Sequence, residues 1–207
     1  MSGFKYIDST IREYLNNLGA KKNVPGGGSA GAVVAAVGAN LILMSVRYSI
    51  KKTVPISVNK ILTAAEKKIV KSVEDLTIFI DADCYAFSEL MAAMIAAKER
   101  GESVSKKYYF KSLEVPLKVA GECAVLLEIT SFIAKYINRN LFSDILCSSR
   151  FLYSAFFSAK INVMENLKYI DDEIFMSECS SVLFAMGAQI EVLCKDIEKN
   201  FSRNLVS

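Results

Sequence analysis

The sequence predicts an all-α fold, a single-domain helical bundle with a long central helix that dimerises through its helices. Three observations carry this. Apolar residues recur with the 3.6-residue period of a helix along most of the 207 residues. Strand signals are poor, because sustained alternation of period two is scarce and no Asn-Gly or Asp-Gly hairpin turn occurs. No repeat of fixed period and no long linker divides the chain, so residues 1–207 are expected to form one domain.

Each element has its own reason. Asp8 or Ser9 is expected to cap a first helix on which Ile11, Tyr14, Leu15 and Leu18 share one face, with Gly19 as its stop. Residues 25–46 then read Pro-Gly-Gly-Gly-Ser followed by AGAVVAAVGANLILMSV. Consecutive glycines let the backbone approach a partner closely, and Ser29 is suited to N-cap the helix that runs to about Tyr48. Ser57 opens a very long periodic stretch that reaches Ala97 and ends at Gly101. A fourth helix is expected from Ser105 to Ile137, kinked or broken at Pro116. Residues 138–143 form a turn, residues 144–167 a fifth helix, and Asp171 or Asp172 opens a sixth that fades by Phe201.

The uncharged stretch from Val24 to Val46 has three readings: a helix start that receives an anion or polar ligand, a plain core helix, or a membrane span. Composition weighs against the span. The stretch is rich in Ala and Gly, Asn40 lies near its middle, and no second comparable segment exists. Small residues at Gly31, Ala35 and Ala39, and at Ala32 and Ala36, permit close helix approach in water as well. So apolar a helix in one small domain also suggests burial by a second chain, hence a homodimer.

Bulk composition narrows function. The chain is 52% apolar and 23% charged, which excludes disorder. A net charge of +3 spread over ordinary helical lysines argues against a nucleic-acid partner. Five cysteines (Cys84, Cys123, Cys147, Cys179, Cys194) form no CxxC pair and fit a reduced, cytoplasmic protein. Residues 1–24 hold six charges and no apolar core of a signal peptide.

The chain has no histidine, so metal sites built on histidine and Ser-His or Cys-His nucleophiles are ruled out. The scattered cysteines make no thiolate metal site, and no metal is expected. Proton transfer then falls to a carboxylate, lysine, tyrosine or cysteine, and a carboxylate raised by burial is the leading choice. On the long helix, Ile69, Val73, Leu76, Ile80, Cys84, Phe87, Met91 and Met94 share one direction to within about 40°. Asp83 falls at the edge of that apolar face, about 60° from its centre, and is expected to be partly desolvated. Asp81, about 100° away, is expected to face solvent. On the fifth helix Asp144, Ser148, Asn162 and Asn166 fall on one polar stripe. Its ends are about 30 Å apart, and an exposed face or simple capping competes with a site there. Phe151, Tyr153, Phe156 and Phe157 are assigned to the core.

Pro25-Gly26-Gly27-Gly28-Ser29 opening an Ala/Gly-rich helix resembles the signature of the cyclodeaminase/methenylfolate cyclohydrolase family. Further matches follow in order: Lys51-Lys52, then Asp83-Cys84-Tyr85-Ala86-Phe87 for the family's Asp-x-x-Ala-Phe, then Val115-Pro116. Residues 138–144 are similar to its Asn-x-Asn-x-x-Ser-Asp, and Asn162, Asn166 and Asp172 complete the series. The chain departs from the family pattern at Arg47, Tyr108–Phe110 and Ile137.

The resemblance implies an all-α homodimer that binds a tetrahydrofolate derivative, polyglutamylated forms included, near the subunit interface. It requires no cofactor beyond that substrate. Asp83 is the implied acid/base residue. Gly26, Gly27, Gly28 and Ser29 would present backbone N–H groups to the folate, and Lys51 and Lys52 would meet its glutamate tail. Asp144, Asn162 and Asn166 would order the pterin or the neighbouring subunit, with structural roles equally open. The implied reaction is cyclodeamination of 5-formiminotetrahydrofolate, or alternatively hydrolysis of 5,10-methenyltetrahydrofolate. A non-catalytic folate-binding subunit is the other alternative.

Overall fold

A computed structural model describes residues 5–205, and every regular element among them is helical. A single 3-10 turn, Tyr6–Asp8, precedes α1 (Ile11–Leu18). Then follow α2 (Gly27–Ser49), α3 (Ile56–Arg100) and α4 (Lys106–Ile133). Two further 3-10 turns, Ala134–Tyr136 and Arg139–Leu141, lead into α5 (Phe142–Leu167), and α6 (Glu173–Leu205) closes the chain.

Most boundaries follow local chemistry. Gly101 ends the 45 residues of α3 at φ +67°, in the left-handed region that favours glycine. Asp172 accepts from the Phe175 N–H at 3.0 Å and so opens α6, as its sequence position predicts. Two expected caps lie elsewhere. Thr10, rather than Asp8 or Ser9, caps α1, because Glu13 three residues on completes a reciprocal capping box with it. Ser29 lies inside α2, whose N-cap is Gly26. α4 ends at Ile133, short of Ile137, and runs unbroken through the buried Pro116.

The bundle is organised around α2, which packs against α3, α5 and α4. α5 runs antiparallel to it. Gly27 lies against Asn162, Gly31 against Ser158 and Ala155, and Gly38 against Leu152 and Ser148. At the far end the Ser49 hydroxyl accepts from the Asn138 N–H at 2.9 Å. Glycine is needed at Gly38, where a Cβ would stand 3.1 Å from Leu152 Cγ and 3.2 Å from the Ser148 carbonyl oxygen.

Ala32, Ala35, Ala39, Ile42 and Val46 are fully buried. Ser45 and Ser49 are buried with them, their hydroxyls donating to the carbonyls of Leu41 and Ser45 one turn back. By length and composition α2 is the one described helix able to cross a membrane. Its inward faces are instead matched to amphipathic neighbours, and Val37 and Asn40 occupy its exposed side.

The departures from the family pattern are absorbed by packing. Ile137 is buried, Tyr109 stacks on Tyr169 with ring centres 4.9 Å apart, and Phe110 meets Phe175 edge-on at 5.2 Å. Arg47 pairs with Glu66 at 2.7 Å.

Candidate active site

The glycine-rich start of α2 leaves its first N–H groups without helical partners, a positive end that attracts an anion or a ligand oxygen. No side chain of its own caps it. What meets it comes from α3: the Asp83 carboxylate rests directly against Gly28, with the Ser29 N–H turned towards it. A Cβ on Gly28 would overlap Asp83 Oδ1 and stand 2.7 Å from Oδ2. The glycine at 28 is therefore a requirement of this contact.

Burial pushes the Asp83 carboxyl up to about 6, against a smaller lowering by the Ser29 N–H. A carboxyl titrating there exchanges a proton readily at neutral pH. Its residual exposure leaves it reachable from outside. The helical wheel's placement of Asp83 at the edge of the apolar face matches this partial desolvation.

Ser29 is fully buried, and its hydroxyl shares a 3.0 Å hydrogen bond with the Tyr14 hydroxyl and also reaches Cys84 Sγ. Ser29 is not the cap because α2 already starts at Gly27. Asp81 departs from the sequence expectation, since it is only 8% exposed. The segment before α1 covers it: Asp81 Oδ1 accepts from the Tyr6 N–H at 2.6 Å, and Oδ2 from the Ile7 N–H at 3.4 Å. A helical wheel contains no information about such a covering segment.

From α5, Asn162 stands 3.5 Å from the position of a Gly27 Cβ, and Ser158 Oγ lies 3.5 Å from the Gly27 carbonyl oxygen. The amides of Asn162 and Asn166 donate to the carbonyls of Ser158 and Asn162 at 2.8 and 3.0 Å. This fixes the side chains and leaves both Oδ1 acceptors available. Ser158 belongs to the same i, i+4 ladder as the two asparagines, and that spacing was its sequence signal. Tyr14 carried no signal beyond its place on an apolar face.

The remaining sequence-predicted residues lie at the opposite end of the bundle. Lys51 and Lys52 are exposed in the turn after α2, the whole length of that helix away, about 33 Å. Asp144 lies in the first turn of α5, eighteen residues and about 27 Å from Asn162. Within one chain, then, Gly26–Ser29, Asp83, Asn162 and Asn166 gather at one pole, and Lys51, Lys52 and Asp144 at the other. Among the described residues no group of three Cys, Asp or Glu side chains converges in a way that would hold a metal ion.

A desolvated carboxylate seated on a glycine-rich helix start, in a chain with no histidine, marks this all-helical bundle. The chain belongs to the formiminotransferase-cyclodeaminase family, whose model matches residues 10–183. It is 30% identical over 183 residues to a formimidoyltransferase-cyclodeaminase of Gallus gallus, covering 86% of this chain and 34% of that protein. It thus spans about a third of that relative's length. A methenyltetrahydrofolate cyclohydrolase of Methylorubrum extorquens is 28% identical over 83% of this chain and 85% of its own length. The fold matches a crystal structure of formiminotetrahydrofolate cyclodeaminase from Thermotoga maritima with a TM-score of 0.89. That likeness spans 97% of this chain and all of the other, at 24% identity.

Proposed function

We propose that this protein is a folate one-carbon enzyme, a formiminotetrahydrofolate cyclodeaminase in which Asp83 is the general acid/base. The observation that carries the reading is the Asp83 carboxyl, raised to about 6 and seated on Gly28 at the start of α2. In the reaction N10 of the folate attacks the carbon of the protonated formimino group, so the C–N10 bond forms and a tetrahedral carbon bearing an amino group is made. Asp83 takes the proton from N10 and gives it to the amino group, making –NH3+. The bond from carbon to that nitrogen then breaks, ammonia leaves, and the cationic 5,10-methenyl bridge remains. The free N–H groups of Gly26, Gly27 and Gly28, with the Asn162 and Asn166 acceptors, would hold the pterin.

The full-length likeness to a methenyltetrahydrofolate cyclohydrolase favours a second reading. There Asp83 removes a proton from water attacking the methenyl carbon and gives it to the ring nitrogen whose C–N bond breaks, while the carbinol proton is released as the formyl C=O forms. Parallel absorbance assays with 5-formimino- and 5,10-methenyltetrahydrofolate separate the two. Rates on both equal to the uncatalysed background, with tight folate binding by calorimetry, would leave only the non-catalytic binder.

The active unit is proposed to be a cytoplasmic homodimer. A groove of about 690 Å³ between α1, α2 and α3, lined by Leu15, Val33, Val37, Met44 and Ile80, offers an apolar face for a second copy. Antiparallel pairing of two α2 helices there would carry the partner's lysine turn towards the Asp83 pole, where the folate's glutamate tail would project. Light scattering at assay concentration tests the stoichiometry.

A further inference from the structure

A closed ring of contacts, hydrogen bonds with one edge-on aromatic pair, ties the N-terminal segment to the start of α2, where the Asp83 carboxylate rests on Gly28. It begins on α3, where Asp81 accepts from the backbone N–H groups of Tyr6 and Ile7. The Tyr6 hydroxyl donates to the Val24 carbonyl at 3.0 Å, and its ring meets Tyr14 edge-on at 6.1 Å. Tyr14, 8% exposed, shares its hydroxyl with Ser29 on α2. The Ser29 N–H then returns to α3 at Asp83, two residues from the start. Each link is buried or partly buried, so the ring is a rigid frame for one carboxylate.

We propose that Tyr14 is a positioning residue that fixes the Asp83 carboxylate through Ser29. The inference rests on the reading of Asp83 as acid/base. Tyr14 meets the site through the Ser29 hydroxyl. It holds the Ser29 hydroxyl, and with it the first turn of α2 from which the Ser29 N–H points at Asp83.

The charged and titratable surroundings of Asp83 leave this link exposed to measurement. Tyr14 approaches from the N-terminal segment, Tyr6 beside it facing Asp81 and Cys84, which lie on the same helix as Asp83. α2 carries no charge before Arg47, and the α5 side chains against its first turns are the neutral Asn162 and Ser158. On α4, Lys111 is taken up by Glu89, both half-exposed. Among the described residues no cation shifts the Asp83 carboxyl. Loss of the Tyr14 hydroxyl loosens the Ser29 N–H donor, and the carboxyl becomes harder to ionise.

The test is Tyr14→Phe, which keeps the ring packing, together with Ser29→Ala, which keeps the backbone N–H. Carboxyl carbon NMR of Asp83 in each intact protein reads its titration directly, without turnover. The expected result is an upward move of the midpoint by at least about half a pH unit. The double variant should move no further than either single one, since both cut the same link. In kinetics kcat falls about 3- to 10-fold with KM within about twofold, and the acidic limb of the pH profile moves upward with the NMR midpoint. An unchanged midpoint, additive shifts, or a rise in KM alone overturns the proposal. If Tyr14→Phe does not fold, Ser29→Ala decides alone, by a raised or an unchanged midpoint. Failure of the acid/base reading is a different result: Asp83→Asn turning over at the wild-type rate.

Discussion

The Asp83 carboxylate lies so close over the α-carbon of Gly28 that no side chain fits between them. That contact joins the long helix to the start of the central one, and it gives the third glycine of the motif its physical reason. Gly28→Ala should force the carboxylate aside. Although alanine is the better helix former by up to about 1 kcal/mol, the overlap is with the group proposed to carry the proton. Turnover is expected to fall at least about 100-fold, with far-ultraviolet circular dichroism unchanged. Steady-state rates beside a spectrum decide the matter; near-normal kcat would remove Gly28 from the mechanism.

Asp83→Asn separates catalysis from stability. The folded carboxyl is raised to about 6 from an ordinary value of 3.8, so the native protein binds more protons than the unfolded chain between those two pH values. Stability from this group is present in full below about pH 4 and declines as pH rises to about 6. The ionised form then costs about 2 to 3 kcal/mol at neutral pH. A neutral amide at this position carries no such cost. The variant is expected to lose about 100- to 10,000-fold in kcat while its urea midpoint at pH 7 rises. Equal urea midpoints for the two proteins at pH 7 would contradict the desolvation argument.

Asp81 shows where the sequence could be read and where it could not. Helix periodicity located Asp83 at an apolar edge, and glycine chemistry located the ends of α1 and α3. Those are local properties, and they survive folding. Asp81 turned out buried because residues 5–8, remote in sequence, lie across it and supply two N–H donors. Ser29 is not the cap because α2 already starts at Gly27, and the Ser29 hydroxyl goes to Tyr14 instead. Partners distant in the chain receive both Asp81 and that hydroxyl, and no window of residues contains them. The separation of Lys51, Lys52 and Asp144 from Asp83 was half legible: helix length gave the distance along α5, but only the antiparallel packing of α2 and α5 put all three at one pole.

Asp81→Ala should therefore release the N-terminal segment. Two backbone donors lose their acceptor in a part-buried site, a cost of about 1 to 3 kcal/mol. Hydrogen exchange of the Tyr6 and Ile7 amides should quicken, while amides in the middle of α5 exchange at their former rates. Protection of Tyr6 and Ile7 equal to wild type would mean that packing, not Asp81, anchors the segment.

Gly38→Ala tests the α2–α5 seam away from the site. A Cβ there stands 3.1 Å from Leu152 Cγ and 3.2 Å from a backbone oxygen that cannot move alone. The helices must separate by a few tenths of an ångström, and the strain exceeds the gain in helix propensity. A net loss of about 1 to 2 kcal/mol is expected in urea unfolding, with kcat within about twofold of wild type. A more stable variant would show that the seam has slack.

The lysine turn supplies the sharpest test of the proposed dimer. Lys51 and Lys52 lie about 33 Å from the Asp83 pole of their own chain, too far to meet the tail of a folate held there. If a partner chain supplies them, each site takes its acid/base group from one copy and its lysines from the other. Charge reversal, Lys51→Glu with Lys52→Glu, should then raise KM for polyglutamylated folate more than for the monoglutamate, because more carboxylates are repelled. Asp83→Asn alone should be inactive. Unfolding and refolding the two variants together gives heterodimers as half of all dimers, each with one site carrying both defects and one carrying neither. About a quarter of wild-type activity on polyglutamylated substrate should return at a concentration where neither parent is active. If each chain instead built its whole site alone, every site in the mixture would keep one defect. No activity would return.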